Sequence, residues 1–198
     1  MGEIRSALDI ALEKTAHIEG DPKSADNRDL KNAGKKAAGD FLAKGDQTIL
    51  TEILGDKNDE KKALIKEGAL SILLASIHLP AVEEDLKKTE LIGTGLDAIL
   101  PGKGMVQLFA QVAGILKQYL ADQDQLSKAL EQQFLPRLRA KQQEIAKRYG
   151  QNIPMDLHQD PEYLSALSKN RSMIEEKYDG VINEVRSRVR EIAGIVED

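Results

Sequence analysis

Three stretches carry residue types and spacings that chemistry can use. Gly93-Thr94-Gly95-Leu96-Asp97-Ala98 fits G-x-G-x-x-G/A, in which glycines let the backbone approach a pyrophosphate at a helix N-terminus. That chemistry needs a strand before the loop. Here Glu83 to Ile92 reads as helix and no βαβ unit is visible, so the plainer meaning is a loosened or close-packed point within a helix. Pro101-Gly102-Lys103-Gly104 shares the Gly-Lys of the phosphate-binding pattern G-x-x-x-x-G-K-[ST]. Asp97 stands where the first glycine belongs, and Gly104 replaces the magnesium-binding hydroxyl. A turn between helices is the better reading. Met1-Gly2-Glu3-Ile4-Arg5-Ser6 fits the minimal myristoylation pattern, which is short enough to match by chance.

The titratable residues form no catalytic constellation. His17, His78 and His158 are far apart, and none belongs to an H-x-x-x-H or H-E-x-x-H pair. His17 lies four residues after Glu13, a spacing for a local pair on one helix face. His78 reads as a core or cap residue. His158 sits between Asp156 and Asp160, a trio that can hold a metal weakly but reads better as a solvated turn. Carboxylates fall in mixed runs such as Glu83 to Lys88, the pattern of an exposed helix face. The Glu-x-x-His of di-iron bundles is missing, as is a G-x-S-x-G elbow. With no cysteine, thiolate nucleophiles and Cys-based metal sites are excluded. No catalytic residue, cofactor or metal ligand is assigned on these grounds.

One basic cluster stands out: Arg137, Arg139, Lys141, Lys147 and Arg148, with Glu144 the one acid among them. It is a candidate contact for phosphate or for an acidic partner. On a helix these residues spread over more than one face, and no aromatic platform for stacking bases is interleaved. A net charge of −5 argues further against nucleic acid.

The elements that must carry these residues are helices. The chain has 198 residues, 41% of them apolar and 31% charged, with 4% aromatic and no Trp. The high charge suits a surface-rich, helical shape whose core is Leu, Ile, Val and Ala. A first apolar stripe runs from Ile4 to Ile18. An Ala-rich stretch follows from Lys23 to Ala43, where Gly34 and Gly39 each cost about 1 kcal/mol relative to Ala. These small residues allow either a close helix approach or local mobility. Gly45-Asp46 is a stop and cap before a short helix closed by Gly55. Ala63 to Leu79 is apolar nearly all round and belongs in the core, with Pro80 stopping it. Val82 to Leu100 forms the next helix. Met105 to Gly150 is a long helix whose apolar residues thin after Leu120, and Pro136 should kink or interrupt it. Residues 150–161, with Pro154 and Pro161, make the best linker.

From Pro161 to Val196 apolar residues recur at alternating spacings of three and four: Leu164, Leu167, Arg171, Ile174, Tyr178, Val181, Val185, Arg188, Ile192 and Ile195. This is a heptad seam, widened by Ile182, Val189 and Val196. So long a helix needs an equally long partner, either Met105–Gly150 or a second copy of the chain.

The expected fold is therefore all-α: a helical core bundle over residues 1–120, and over 121–198 two long helices in an extended, coiled-coil-like antiparallel hairpin. The charge-poor stretches Gly68–Val82 and Gly104–Leu116 are shorter than the roughly 20 residues of a spanning helix, so no transmembrane segment is expected. With no secretory signal at Met1–Lys14, a cytoplasmic location is expected. The favoured function is a non-enzymatic interaction or scaffolding protein. It self-associates or binds a protein partner through Ile174, Tyr178, Val181, Val185 and Ile192. A helical protein binding a small apolar ligand or lipid is the alternative. An acidic-partner or nucleic-acid binder using Arg137 to Arg148 is the third.

Overall fold

The computed structural model describes residues 22–151 and 154–195. Within them every regular element is helical: α1 (Pro22–Lys44), α2 (Thr48–Leu54), α3 (Asp59–Ala75), α4 (Asp85–Ile99), α5 (Met105–Tyr149), a 3-10 turn (Leu157–Gln159) and α6 (Pro161–Ala193). The stripe Ile4–Ile18, His17, the Met1–Ser6 pattern and Val196 lie outside the described residues. The chain divides into two compact units, Met1–Ile72 and Leu73–Asp198. Residue 120, where the sequence suggested a boundary, lies inside α5.

In the first unit the Ala-rich stretch is a packed helix. Gly34, Ala37, Ala38 and Phe41 recur at helical spacing and are buried. Gly34 lies against the Ile65 carbonyl, and a Cβ added there would sit 2.0 Å from that oxygen. Gly68 lies as close to the Lys31 carbonyl. Two glycines thus bring α1 and α3 to backbone contact, and Lys31 and Glu67 pair at 2.6 Å beside the crossing. Gly45 ends α1 with φ 73°, a conformation glycine adopts without strain. The Asp46 carboxylate then accepts from the Thr48 hydroxyl at 2.8 Å and its N–H at 3.0 Å, which holds the Asp46 pKa below its usual value.

α3 ends at Ala75, four residues before the Leu79 that the apolar run suggested. His78 is accordingly exposed rather than part of the core, its Nδ1 2.8 Å from the Ser76 carbonyl.

In the second unit α4 starts at Asp85, not Val82. The Asp85 carboxylate accepts from the N–H groups of Ala81 and Val82 at 3.0 and 3.3 Å, so those residues form its entry turn and Val82 is exposed. Lys88, and then these N–H groups, lower the Asp85 pKa to about 2. Gly93 and Gly95 are buried within α4, and a Cβ on Gly93 would meet the Phe109 side chain at 2.4 Å. The glycine pattern therefore marks a close approach of α4 and α5. Gly102 and Gly104, at φ 74° and 71°, make the turn between them.

α5 continues for 45 residues, about 68 Å at 1.5 Å per residue, and runs through Pro136 without interruption. Pro136 lies on the exposed side, where water can serve the carbonyl left without an N–H partner. The core row on α5 is Met105, Phe109, Val112, Leu116 and Tyr119, then Leu130, Phe134 and Leu138. α6 closes at Gly194, φ 72°. Arg186 on α6 donates to the carbonyls of Leu74 at 3.1 Å and Ile77 at 2.5 Å.

Candidate functional site

The two long helices meet along a row of specific contacts. Phe134 and Tyr163 pack edge to face at 5.7 Å. Arg171 Nε donates to Gln123 Oε1 at 2.8 Å, and Gln123 Nε2 donates to the Tyr119 hydroxyl at 3.3 Å. The Tyr178 hydroxyl donates to Asp122 Oδ2 at 2.7 Å, while its ring meets that of Tyr119 at 5.2 Å. Burial, then Asp122, raises the Tyr178 pKa to about 12. The Gln118 amide, and then Tyr178, lower that of Asp122.

Of the candidate interface residues, Tyr178 and Val185 are buried within the chain, and Ile174, Val181 and Ile192 are half-buried. The fully covered row is Tyr178, Ile182, Val185 and Val189. The expected seam ran one residue to the side, through Val181 and Arg188. A signal for the shift was present: the row with Ile182 and Val189 has no charged member, whereas Arg188 is exposed and pairs with Glu191 at 2.6 Å.

Toward the far end of α5 lies a small apolar core of Leu130, Phe134, Leu138, Leu157 and Tyr163, with Leu126, Met155, Ala166 and Leu167 around it. Asp160 holds the entry to α6. One oxygen accepts from the N–H groups of Glu162 at 2.9 Å and Tyr163 at 3.2 Å, which caps the helix. The other accepts from Lys141 at 3.1 Å. Lys141, and then Tyr163 N–H, lower the Asp160 pKa. Asp156 accepts from the His158 N–H at 2.9 Å, and the His158 ring stacks edge-on with Tyr163. The Asp156-His158-Asp160 trio thus builds the turn. Among the described residues no three His, Asp or Glu side chains gather as a metal site.

The basic cluster is exposed throughout. Arg137, Lys141 and Arg148 share a face by their i, i+4, i+11 spacing, and each has a neighbour. Arg137 lies over the Phe134 ring at 5.2 Å. Lys141 pairs with Asp160 and, at 3.7 Å, with Glu162. Arg148 sits 3.6 Å from Glu144. Arg139 and Lys147 fall on other faces. Between Lys141 and Arg148 opens a notch of about 210 Å3, lined also by Glu144, Ile145, Tyr149 and Met155.

A family model matches residues 51–191, from within α2 to the last turn of α6. The chain belongs to a family of unknown function, DUF6657. No curated protein and no solved structure matches it. The DUF6657 match takes in the whole basic cluster, the notch and every candidate interface residue except Ile192. It also takes in Gly68 but not its partner glycine, Gly34. No helix among the described residues is long and apolar enough to cross a membrane.

Proposed function

We propose that this member of DUF6657 is a non-enzymatic interaction protein. In this reading α5 and α6 pair as an extended antiparallel hairpin of coiled-coil type, and copies associate along α6 in a reducing, cytoplasmic setting. The observation that carries it is the width of the apolar stripe on α6. Beside the covered row of Tyr178, Ile182, Val185 and Val189 runs a flank of Ile174, Val181 and Ile192 that is only half-buried. A helix with a stripe wider than one neighbour covers is suited to a second neighbour. The contact pairs support the antiparallel sense, because residue numbers rise along α6 from 163 to 178 as they fall along α5 from 134 to 119.

The test is solution mass by light scattering over a wide concentration range, for the wild type and Val181→Glu. A dimer that Val181→Glu converts to a monomer of unchanged helicity is expected. A wild type that is monomeric at every concentration overturns self-association. An apolar-ligand pocket has less support, since the notch at the end of α5 is rimmed by charges. Phosphate binding by the whole basic cluster has less support because Arg139 and Lys147 diverge from the other three.

A further inference from the structure

Along the hairpin of α5 and α6 the buried residues fall into two groups. The outer group is Leu130, Phe134, Leu138, Leu157 and Tyr163. The inner group runs from Phe109 to Tyr119 on α5 and from Tyr178 to Val189 on α6. Between Tyr163 and Tyr178, about four turns of α6, no residue is buried. From Tyr178 onward the covered row recurs at every turn. On the facing stretch of α5 the one buried residue between Tyr119 and Leu130 is polar, Gln123.

The neck is bare because it lacks a third wall. The inner group has α4 over it, with Gly93 against Phe109. α4 begins beside Lys117, which pairs with Glu83 at 3.2 Å, so it does not extend along the neck. The outer group is closed by Leu157 and Met155. What joins the helices between the groups is polar, the Arg171 bond to Gln123 at 2.8 Å. At that level each helix also turns a side chain back on itself. Ser127 Oγ donates to the Gln123 carbonyl at 3.0 Å, and Asn170 Nδ2 donates to the Ala166 carbonyl at 2.8 Å. Such bonds share the carbonyl with the helix's own N–H and loosen the helix slightly.

We propose that this polar neck divides the hairpin into two cooperative parts, and that the outer part opens while the inner part stays packed. Opening of this kind belongs to regions where buried apolar contacts are few. It parts Leu130, Phe134 and Leu138 from Leu157 and Tyr163, and so bares an apolar row that the closed hairpin hides. The inference does not depend on self-association along α6, because amides of α5 report the opening as well.

The test is native-state amide hydrogen exchange of the full chain, followed by NMR in low urea. Amides of residues 130–138 and 163–170 are expected to exchange through one shared opening, and to be less protected than those of 109–119 and 182–189. Phe134→Ala should speed the outer amides about a hundredfold or more, the effect of removing a buried ring, and leave the inner amides unchanged. With Gln123→Leu and Arg171→Leu together, an apolar pair replaces the polar one and links the two rows, so the outer amides should slow toward the inner rate. Equal protection of the two groups, an equal response of both to Phe134→Ala, or a Phe134→Ala chain that loses helicity throughout each overturns the proposal. So does an outer group whose exchange the double leucine variant leaves unchanged.

Discussion

The hydroxyl of Tyr178 donates to the carboxylate of Asp122 across 2.7 Å, joining α6 to a residue 56 positions earlier on α5. The bond exists only while the phenol keeps its proton. The Tyr178 pKa is raised from 10.0 to about 12, so the folded chain holds a proton that the unfolded chain releases first. Its stabilisation is complete below pH 10 and is lost as pH rises toward 12. Urea unfolding across that range should show falling stability, and Tyr178→Phe should flatten the fall. At neutral pH the same substitution should cost about 1 kcal/mol, the net value of one such hydrogen bond.

Gly34 and Gly39 lie on the same helix and should respond to alanine with opposite signs. Around Gly39 nothing stands within 4 Å of an added Cβ, so Gly39→Ala should stabilise by about 0.5–1 kcal/mol through helix propensity. Gly34→Ala would place the new carbon 2.0 Å from the Ile65 carbonyl oxygen, and backbone cannot rotate aside. It should destabilise by about 1–3 kcal/mol despite the same propensity gain. Thermal unfolding of the two variants checks the difference, and Gly68→Ala should follow Gly34→Ala.

Asp160 caps α6 with one oxygen and holds Lys141 with the other. Asp160→Ala should lower stability by about 1–2 kcal/mol through the lost cap alone. Asp160→Asn keeps an acceptor for the cap and should recover most of that loss. The lowered Asp160 pKa adds an acid limb: its contribution is complete above the ordinary carboxylate value of 3.8 and fades as pH falls below it. Chemical unfolding of the three proteins, repeated below pH 3.8, checks both parts, and the acid limb should be missing from Asp160→Ala and Asp160→Asn.

Arg186 uses two nitrogens of its planar fork on the carbonyls of Leu74 and Ile77. A lysine presents one ammonium and cannot reproduce that spacing. Arg186→Lys should therefore lose about 1 kcal/mol or more although the charge is kept. Faster amide hydrogen exchange in α6 near Arg186 is the expected sign, and unchanged exchange would remove the role assigned to this bond.

Helix existence was legible in the sequence because apolar spacing is a local property. The stripe from Met105 to Leu138 could be read directly, whereas on α6 the helix was legible but its covered row was not: Tyr163 is buried where the spacing pointed to Leu164, which is exposed. Helix ends were less legible where a side chain rewrites the backbone. Asp85 ties Ala81 and Val82 into a turn and so delays α4, and no apolar pattern records this. The pairing of Asp122 with Tyr178 and of Gln123 with Arg171 was illegible for a different reason. It depends on which residues two helices bring opposite each other, and that register is tertiary. The spacing places Arg171 in the seam but does not reveal Gln123 as its partner. The small residues of α1 posed a choice between close packing and mobility. The crossing of Gly34 with Ile65 decides for packing, and the deciding partner lies 31 residues on, beyond any local window.

The two bonds of Arg186 also bear on the loops that the second unit closes. They join residues 112 and 109 positions apart, whereas the other side-chain bonds described here join residues 56 or fewer apart. The α5–α6 bonds of Arg171 with Gln123 and of Tyr178 with Asp122 close loops of 48 and 56 residues. A contact that closes a longer loop carries a larger entropic cost, by about 0.6 kcal/mol for each doubling of length. Arg186 thus ties the first residues of the second unit to its last helix, and its two bonds close the longest loops among the side-chain bonds between helices.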